Sequence, residues 1–245
     1  MSELTSYVVW DKVTRWFHWL NVLCFSGLVV VGLVILNASD LGVNNAGKVT
    51  LKTIHTLLGY LFTVNLSWRI VWGFIGNRYA RWGAILPGGV GYLYTLRRSI
   101  KALVSHQPEK YLGHNPIGRL SVALMLLLMI IQAITGLILS GTDLFYPPIG
   151  HWIAEWVAAV DVDPALLEPY TPKQYDTANY EIMRSYRKPV GVVHLYTFYL
   201  LLATVILHVV AVIMAELRDG GGIISAMITG RKIFNERPID DDTHD

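Results

Sequence analysis

The 245-residue chain is 53% hydrophobic and only 16% charged, with a mean hydropathy of +0.42. Soluble domains carry about 25% charged residues, so this composition excludes an ordinary water-soluble globule and points into a membrane. The formal net charge of +2 is too small for the electrostatic footprint of a nucleic-acid binder, and no nucleic-acid partner is expected.

The opening stretch MSELTSYVVWDKVTRW lacks the short apolar core and small-residue cleavage site of a signal peptide. Four apolar runs follow, at residues 16–36, 53–75, 118–139 and 189–215. Each reaches the roughly 20 residues that a bilayer-spanning helix needs. The first, third and fourth hold no Asp, Glu, Lys or Arg, and the second holds only Arg69. The chain is therefore expected to be one all-α integral-membrane domain over residues 1–245, a bundle of four transmembrane helices. Basic residues such as Lys12, Arg15, Arg78, Arg81, Arg97, Arg98, Lys101, Arg119 and Arg231 collect on one side. The positive-inside rule makes that side cytoplasmic and puts both termini there. Trp16, Trp19, Trp68 and Trp72 are expected to form an aromatic belt at that interface. Within the cytoplasmic connection 76–117, YLYTLRRSIKALV suits a helix lying on lipid. The external connection 140–188 contains a second amphipathic stretch, IGHWIAEWVAAV. A loop of that length with its own aromatics suits a docking surface or a cover over the bundle.

Eight histidines punctuate this apolar sequence. His18, His55, His194 and His208 lie inside spans, where an imidazole is costly unless satisfied. Sorted by depth they form two pairs, His55 with His194 outside and His18 with His208 inside. His194 and His208 are fourteen residues apart on one span, about 21 Å of ideal helix, and about 40° apart in azimuth. Each is placed to give one axial nitrogen to a haem iron, with the second from another helix. Bis-histidine ligation closes the coordination shell and suits electron transfer rather than oxygen binding. No C-x-x-C-H motif is present, so two non-covalent b haems are expected. Gly27, Gly32, Gly59 and Gly191 offer room for a macrocycle or close helix packing. The lone cysteine, Cys24, reads as a small buried hydrophobe. His106 and His244 read as solvent-facing, and His151 lies near the outer interface with no assigned role. A proton-coupled transporter or metal carrier with buried histidines is the rival class, distinguished by having no haem absorption.

The motifs VTRWFHWLNVLC, IHTLLGYLF, WRIVWGFIGNRYARW, GHNPIGRLS, HLYTFYLLLATVILH and IISAMITGRK together cover most of the chain. They resemble the four-helix dihaem cytochrome b subunits of membrane-bound nickel–iron hydrogenases, of cytochrome b561 type. More distantly, the chain is similar to formate dehydrogenase gamma subunits. The stretch from about Pro147 to Lys188 departs from the hydrogenase form. The resemblance implies haem ligation by the four span histidines and electron exchange between a periplasmic redox subunit and the quinone pool. By matching position it implies a quinone site at His114, Asn115 and Gly118, beside His208. For the same GHNPIG string, Asn-Pro also suits a turn and Pro the first helical turn. Arg69, and more weakly Arg15, are implied partners of haem propionates, with snorkelling to lipid headgroups the rival for Arg69. An alternative partner is a periplasmic c-type cytochrome fed by quinol oxidation.

Overall fold

The computed structural model describes residues 4–105, 109–219 and 222–241; His106 and His244 lie outside them. The chain is mostly helical. The elements are β1 (Thr5–Val8), α1 (Lys12–Leu36), α2 (Asn45–Ile75), α3 (Trp82–Ile85), α4 (Tyr92–Val104), α5 (Pro116–Leu144), α6 (Gly150–Val157), α7 (Thr177–Asp219), α8 (Ile223–Thr229) and β2 (Arg231–Phe234). Two short 3₁₀ turns, Pro164–Leu166 and Pro172–Gln174, precede α7.

The four long helices start in the same way. Asp11, Asn44, Asn115 and Asp176 each accept the backbone N–H three residues on, at 2.6, 2.8, 2.6 and 2.8 Å. Such caps satisfy donors that the first helical turn leaves orphaned. The helices therefore begin before the apolar runs do. The apolar runs start at residues 16, 53, 118 and 189, and the helices that carry them start at Lys12, Asn45, Pro116 and Thr177. Pro189 lies inside α7 instead of opening it; an interior proline removes one backbone bond, and this helix continues through it. Together with the extension of α5 to Leu144, this makes the two ends of the connection expected over 140–188 helical.

Three helices among the described residues are long and apolar enough to cross a membrane: Lys12–Leu36, Pro116–Leu144 and Thr177–Arg218. Their outward Val30, Leu33, Leu127, Ile206, Leu207 and Ile213 are exposed, which a lipid environment explains and water does not. Helix α2 is long enough at 31 residues, about 46 Å. Lys48, Lys52, His55, Asn65 and Arg69 dilute its apolarity.

The chain divides into two compact units, and α1, α2, α5 and α7 each contribute a segment to both. One unit comprises Met1–Trp19, Ser67–Leu128 and Leu201–Asp245. It holds the two-stranded antiparallel sheet, with Thr5 opposite Phe234 and Val8 opposite Arg231. This sheet was not expected from an all-α reading; the strands are only four residues each. Val9, Trp10, Leu112, Ala226 and Phe234 form its core. Gly230 adopts φ +86°, its carbonyl accepts Val9 and Trp10 N–H, and a Cβ there would lie 2.6 Å from the Trp10 carbonyl. Trp16, Trp19 and Trp68 are exposed, as a belt requires, and Trp68 stacks on Trp72. Helix α4 forms where expected, with Leu93, Tyr94, Ile100 and Val104 exposed.

The same unit contains a latch. The Lys232 ammonium, 7% exposed, donates to the carbonyls of Tyr111, Leu112 and Gly113 at 3.1, 2.7 and 3.1 Å. The Asp240 carboxylate accepts the N–H groups of Leu112 and Gly113 at 2.6 and 2.9 Å. Burial pushes the Lys232 pKa down to about 8, with Asp240 opposing the shift.

The other unit comprises Leu20–Leu66 and Met129–Leu200. Cys24 is buried in it, at 2% exposure. Helix α6 forms within the expected amphipathic stretch, and an Ala158–Tyr175 bridge closes the segment that leads to the α7 cap. Tyr175 stacks on Tyr180 at 4.5 Å.

Asp240→Ala removes the acceptor of two backbone donors. It is expected to cost about 2 kcal/mol, read as a lower unfolding midpoint in detergent. Lys232→Met is expected to do the same by stranding three carbonyls.

Candidate functional site

The site is built from imidazoles on long helices. In the unit holding Leu20–Leu66 and Met129–Leu200, the rings of His55 (α2) and His194 (α7) face one another. Their centroids are 6.5 Å apart and their planes 75° to each other. Two imidazole–metal bonds of about 2 Å each, with the ring radii added, put centroids about 6 Å apart. The separation therefore fits two imidazoles on opposite sides of one ion.

The tautomer of His194 follows from its neighbour. The Thr135 hydroxyl lies 2.7 Å from the Ile131 carbonyl, to which it donates its single hydrogen. Its oxygen then accepts from Nδ1–H of His194 at 2.8 Å. This leaves a lone pair on Nε2, which meets the Gln132 amide nitrogen at 3.2 Å. A hydrogen bond that holds Nδ1–H and presents Nε2 is the arrangement of a metal-ligating histidine. On His55, Nδ1 is buried without a partner.

Glycine opens the space around both rings. A Cβ at Gly32 would lie 3.3 Å from Cε1 of His55, and one at Gly136 would lie 3.4 Å from Cε1 of His194. Gly59, one turn from His55, would meet nothing within 4 Å. Gly191 would meet only Leu139, at 4.0 Å. Gly27 instead packs against Leu58, so it serves helix contact. Gln132, Thr135 and Gly136 escaped the sequence reading. The available signal was two polar residues three apart in an apolar helix, hence on one face.

In the other unit, His18 (α1) lies within electrostatic reach of His208 (α7). Its Nδ1 is buried and unpartnered, and its ring meets the edge of Trp19 at 5.2 Å. Arg69 is 5% exposed and sits 5.9 Å from the Phe17 ring and 5.6 Å from that of Trp82. It donates to the Ala80 carbonyl at 3.0 Å, while Nη1 is buried without a partner. Arg15 donates to the Ile228 carbonyl and keeps a buried, unpartnered Nε.

His114 packs on Trp10 with ring centroids 5.0 Å apart. Part of its surface is accessible, but Nδ1 is buried and unpartnered. Burial, reinforced by positive charge from Lys232 and Arg69, pushes its pKa down to about 3. Asn115 and Gly118 are drawn together by the α5 cap: Oδ1 of Asn115 accepts Gly118 N–H at 2.6 Å. A Cβ at Gly118 would lie 3.0 Å from that oxygen. His151 is exposed against Trp152 and touches neither histidine pair.

Among the described residues no three His, Cys, Asp or Glu side chains gather to hold a metal ion. Two imidazoles alone leave a bare ion short of ligands. The donor set thus suits an ion that arrives with its own equatorial ligands, as haem iron does.

The probable Ni/Fe-hydrogenase 1 B-type cytochrome subunit of Escherichia coli K12 is 31% identical over 147 residues, covering 55% of this chain and 60% of the relative. The chain thus spans well under two thirds of that relative. The probable Ni/Fe-hydrogenase B-type cytochrome subunits of Rhizobium leguminosarum bv. viciae and Rhodobacter capsulatus are 25% and 24% identical. These cover 96% of this chain, and 92% and 85% of the relatives. No solved structure matches. The family profile of prokaryotic cytochrome b561 matches residues 9–230, nearly the whole chain, and the protein belongs to that family.

Proposed function

We propose that the protein is a dihaem b-type cytochrome, one integral-membrane domain that carries electrons between a periplasmic redox subunit and the quinone pool. The observation that carries the reading is the facing pair His55 and His194 with Nδ1–H of His194 held by Thr135. Haem bound there, and a second at His18 and His208, supplies a one-electron couple. The protein's own part is to present Nε2, exclude water and clear space with Gly32 and Gly136. With haem bound, Nε2 of His194 would be the ligating atom in place of its contact with the Gln132 amide.

In this reading α2 is the fourth span, both termini are cytoplasmic and the membrane is the bacterial inner membrane. The basic surface of α4 supports the orientation. The relatives are named as hydrogenase subunits, which favours a nickel–iron hydrogenase as the periplasmic partner. The burial of Arg69 and its open Nη1 favour a haem propionate over snorkelling, and Arg15 offers Nε in the same way.

The quinone meets the protein at His114, Asn115 and Gly118. A neutral His114 offers an N–H to a quinone carbonyl and has no spare proton at working pH. The Asn115 oxygen is spent on the helix cap, so its amide hydrogens are what it would offer a quinone carbonyl. Protons for quinone reduction then enter by water at the membrane edge, with His114 positioning the carbonyl.

The deciding experiment is a reduced-minus-oxidised spectrum with haem quantitation on the purified chain. Two haems per chain are expected, and none would sink the reading. His194→Ala and His208→Ala are each expected to remove one spectral component, a different one in each variant. Gly136→Ala is expected to keep both haems, whereas Gly136→Leu drives into His194 and loses only the component that His194→Ala loses. For His114 the unfolded pKa of about 6.5 exceeds the folded value of about 3, so the unfolded chain binds a proton that the native chain does not. Stability is expected to fall below about pH 6 by about 1 kcal/mol per pH unit, and His114→Phe is expected to flatten that slope and raise the quinone KM.

A further inference from the structure

Two stripes of residues run along α2 and α7 in parallel order. On α2 they are Lys52, His55 and Gly59, at positions i, i+3 and i+7 of one face. On α7 they are Arg187, Gly191 and His194, at i, i+4 and i+7. The stripes meet at two levels. The imidazoles face one another at 6.5 Å, and toward the α5 end the two cations meet on one carboxylate of that helix. Lys52 Nζ and Arg187 Nη2 both lie 2.6 Å from Oδ2 of Asp143.

This cluster is short of negative charge. Two cations share one carboxylate, in fact one oxygen of it, which leaves a net charge of one positive. Nη2 of Arg187 is taken by Asp143 while its Nε is buried without a partner, so half of the paired N–H face that suits a carboxylate is unmet. A groove along α7 is lined by Arg184, Arg187 and Lys188, with Glu181 as its one acid, and reaches Gly191, the glycine one turn from His194. Lys52, Asp143 and Arg187 are each about a fifth to a third exposed, which leaves room for a second anion to reach them.

We propose that Lys52 and Arg187 form a carboxylate-binding site for the propionates of the haem held by His55 and His194, with Asp143 as the counter-ion that aligns them. The proposal rests on the haem reading above. It gives that haem a direction: the macrocycle edge bearing the carboxylates points toward the Asp143 end of the bundle. It also gives the site an electrostatic function. Two cations beside one haem favour its reduced form and raise its potential, and Asp143 moderates them.

The test uses the full chain in detergent. Haem-depleted protein is titrated with haem b and with its dimethyl ester, and the potential of each spectral component is measured. The wild type is expected to prefer the diacid by about tenfold or more at the His194 site. The double variant Lys52→Met, Arg187→Gln is expected to lose that preference. Each single cation variant should lower the potential of the component that His194→Ala removes, and Asp143→Asn should raise it, while the other component stays put. Opposite signs at neighbouring residues cannot come from general disruption of the fold. Equal uptake of diacid and diester by the wild type would overturn the proposal, and would mean that these cations serve lipid phosphate or a soluble anion. If His194→Ala retained both haems, the ligation reading itself would fall. If it lost one while the diester bound as well as the diacid, only the propionate site would fall.

Discussion

An imidazole placed among apolar helices must find a partner for each nitrogen, and this constraint organises the molecule. Thr135 answers it for Nδ1 of His194 by spending its hydrogen on the Ile131 carbonyl and accepting from the ring. The unsatisfied Nδ1 atoms of His18 and His55 show where satisfaction is still owed. Leaving buried polar groups unpaired costs about 1–3 kcal/mol each.

The histidines and their pairing were legible because polar residues stand out against apolar helices. The rings of His55 and His194 lie 6.5 Å apart, and it was depth along the spans that paired them in the sequence. Membership of the cytochrome b561 family was legible in long strings such as GFIGNRYAR, which no composition argument could supply. The supporting residues were less visible. Gly136 is one of many glycines, and only the position of the His194 ring singles it out. Helix starts are not legible in the apolar runs, because those runs mark apolar spans whereas Asp11, Asn44, Asn115 and Asp176 mark where hydrogen bonding begins. Lys232 and Asp240 could not be read at all. Each acts on backbone atoms more than a hundred positions away, and nothing local marks that choice.

The His114 loop combines two demands. As a helix start it needs the Asn115 cap, the Pro116 φ angle and the closeness that Gly118 allows. As a candidate ligand site it needs a donor whose protonation does not vary. Burial between Trp10 and the cations around it meets the second demand, by keeping the ring neutral. The same residue identities are consistent with a fold role and a binding role. A single motif match therefore says little until side-chain hydrogen bonds are assigned.

The latch has a consequence for the order of assembly. Lys232 holds a loop 120 positions earlier in the chain, and β2 pairs with β1 across almost the full sequence. Ribosomal synthesis delivers Trp10, His18, Arg69 and His114 long before it delivers their fasteners. The unit around Leu20–Leu66 and Met129–Leu200 has no such debt, since its last segment ends at Leu200. The loop next to His114 therefore gains its Lys232 and Asp240 contacts only once the last strand and the residues after it have been made.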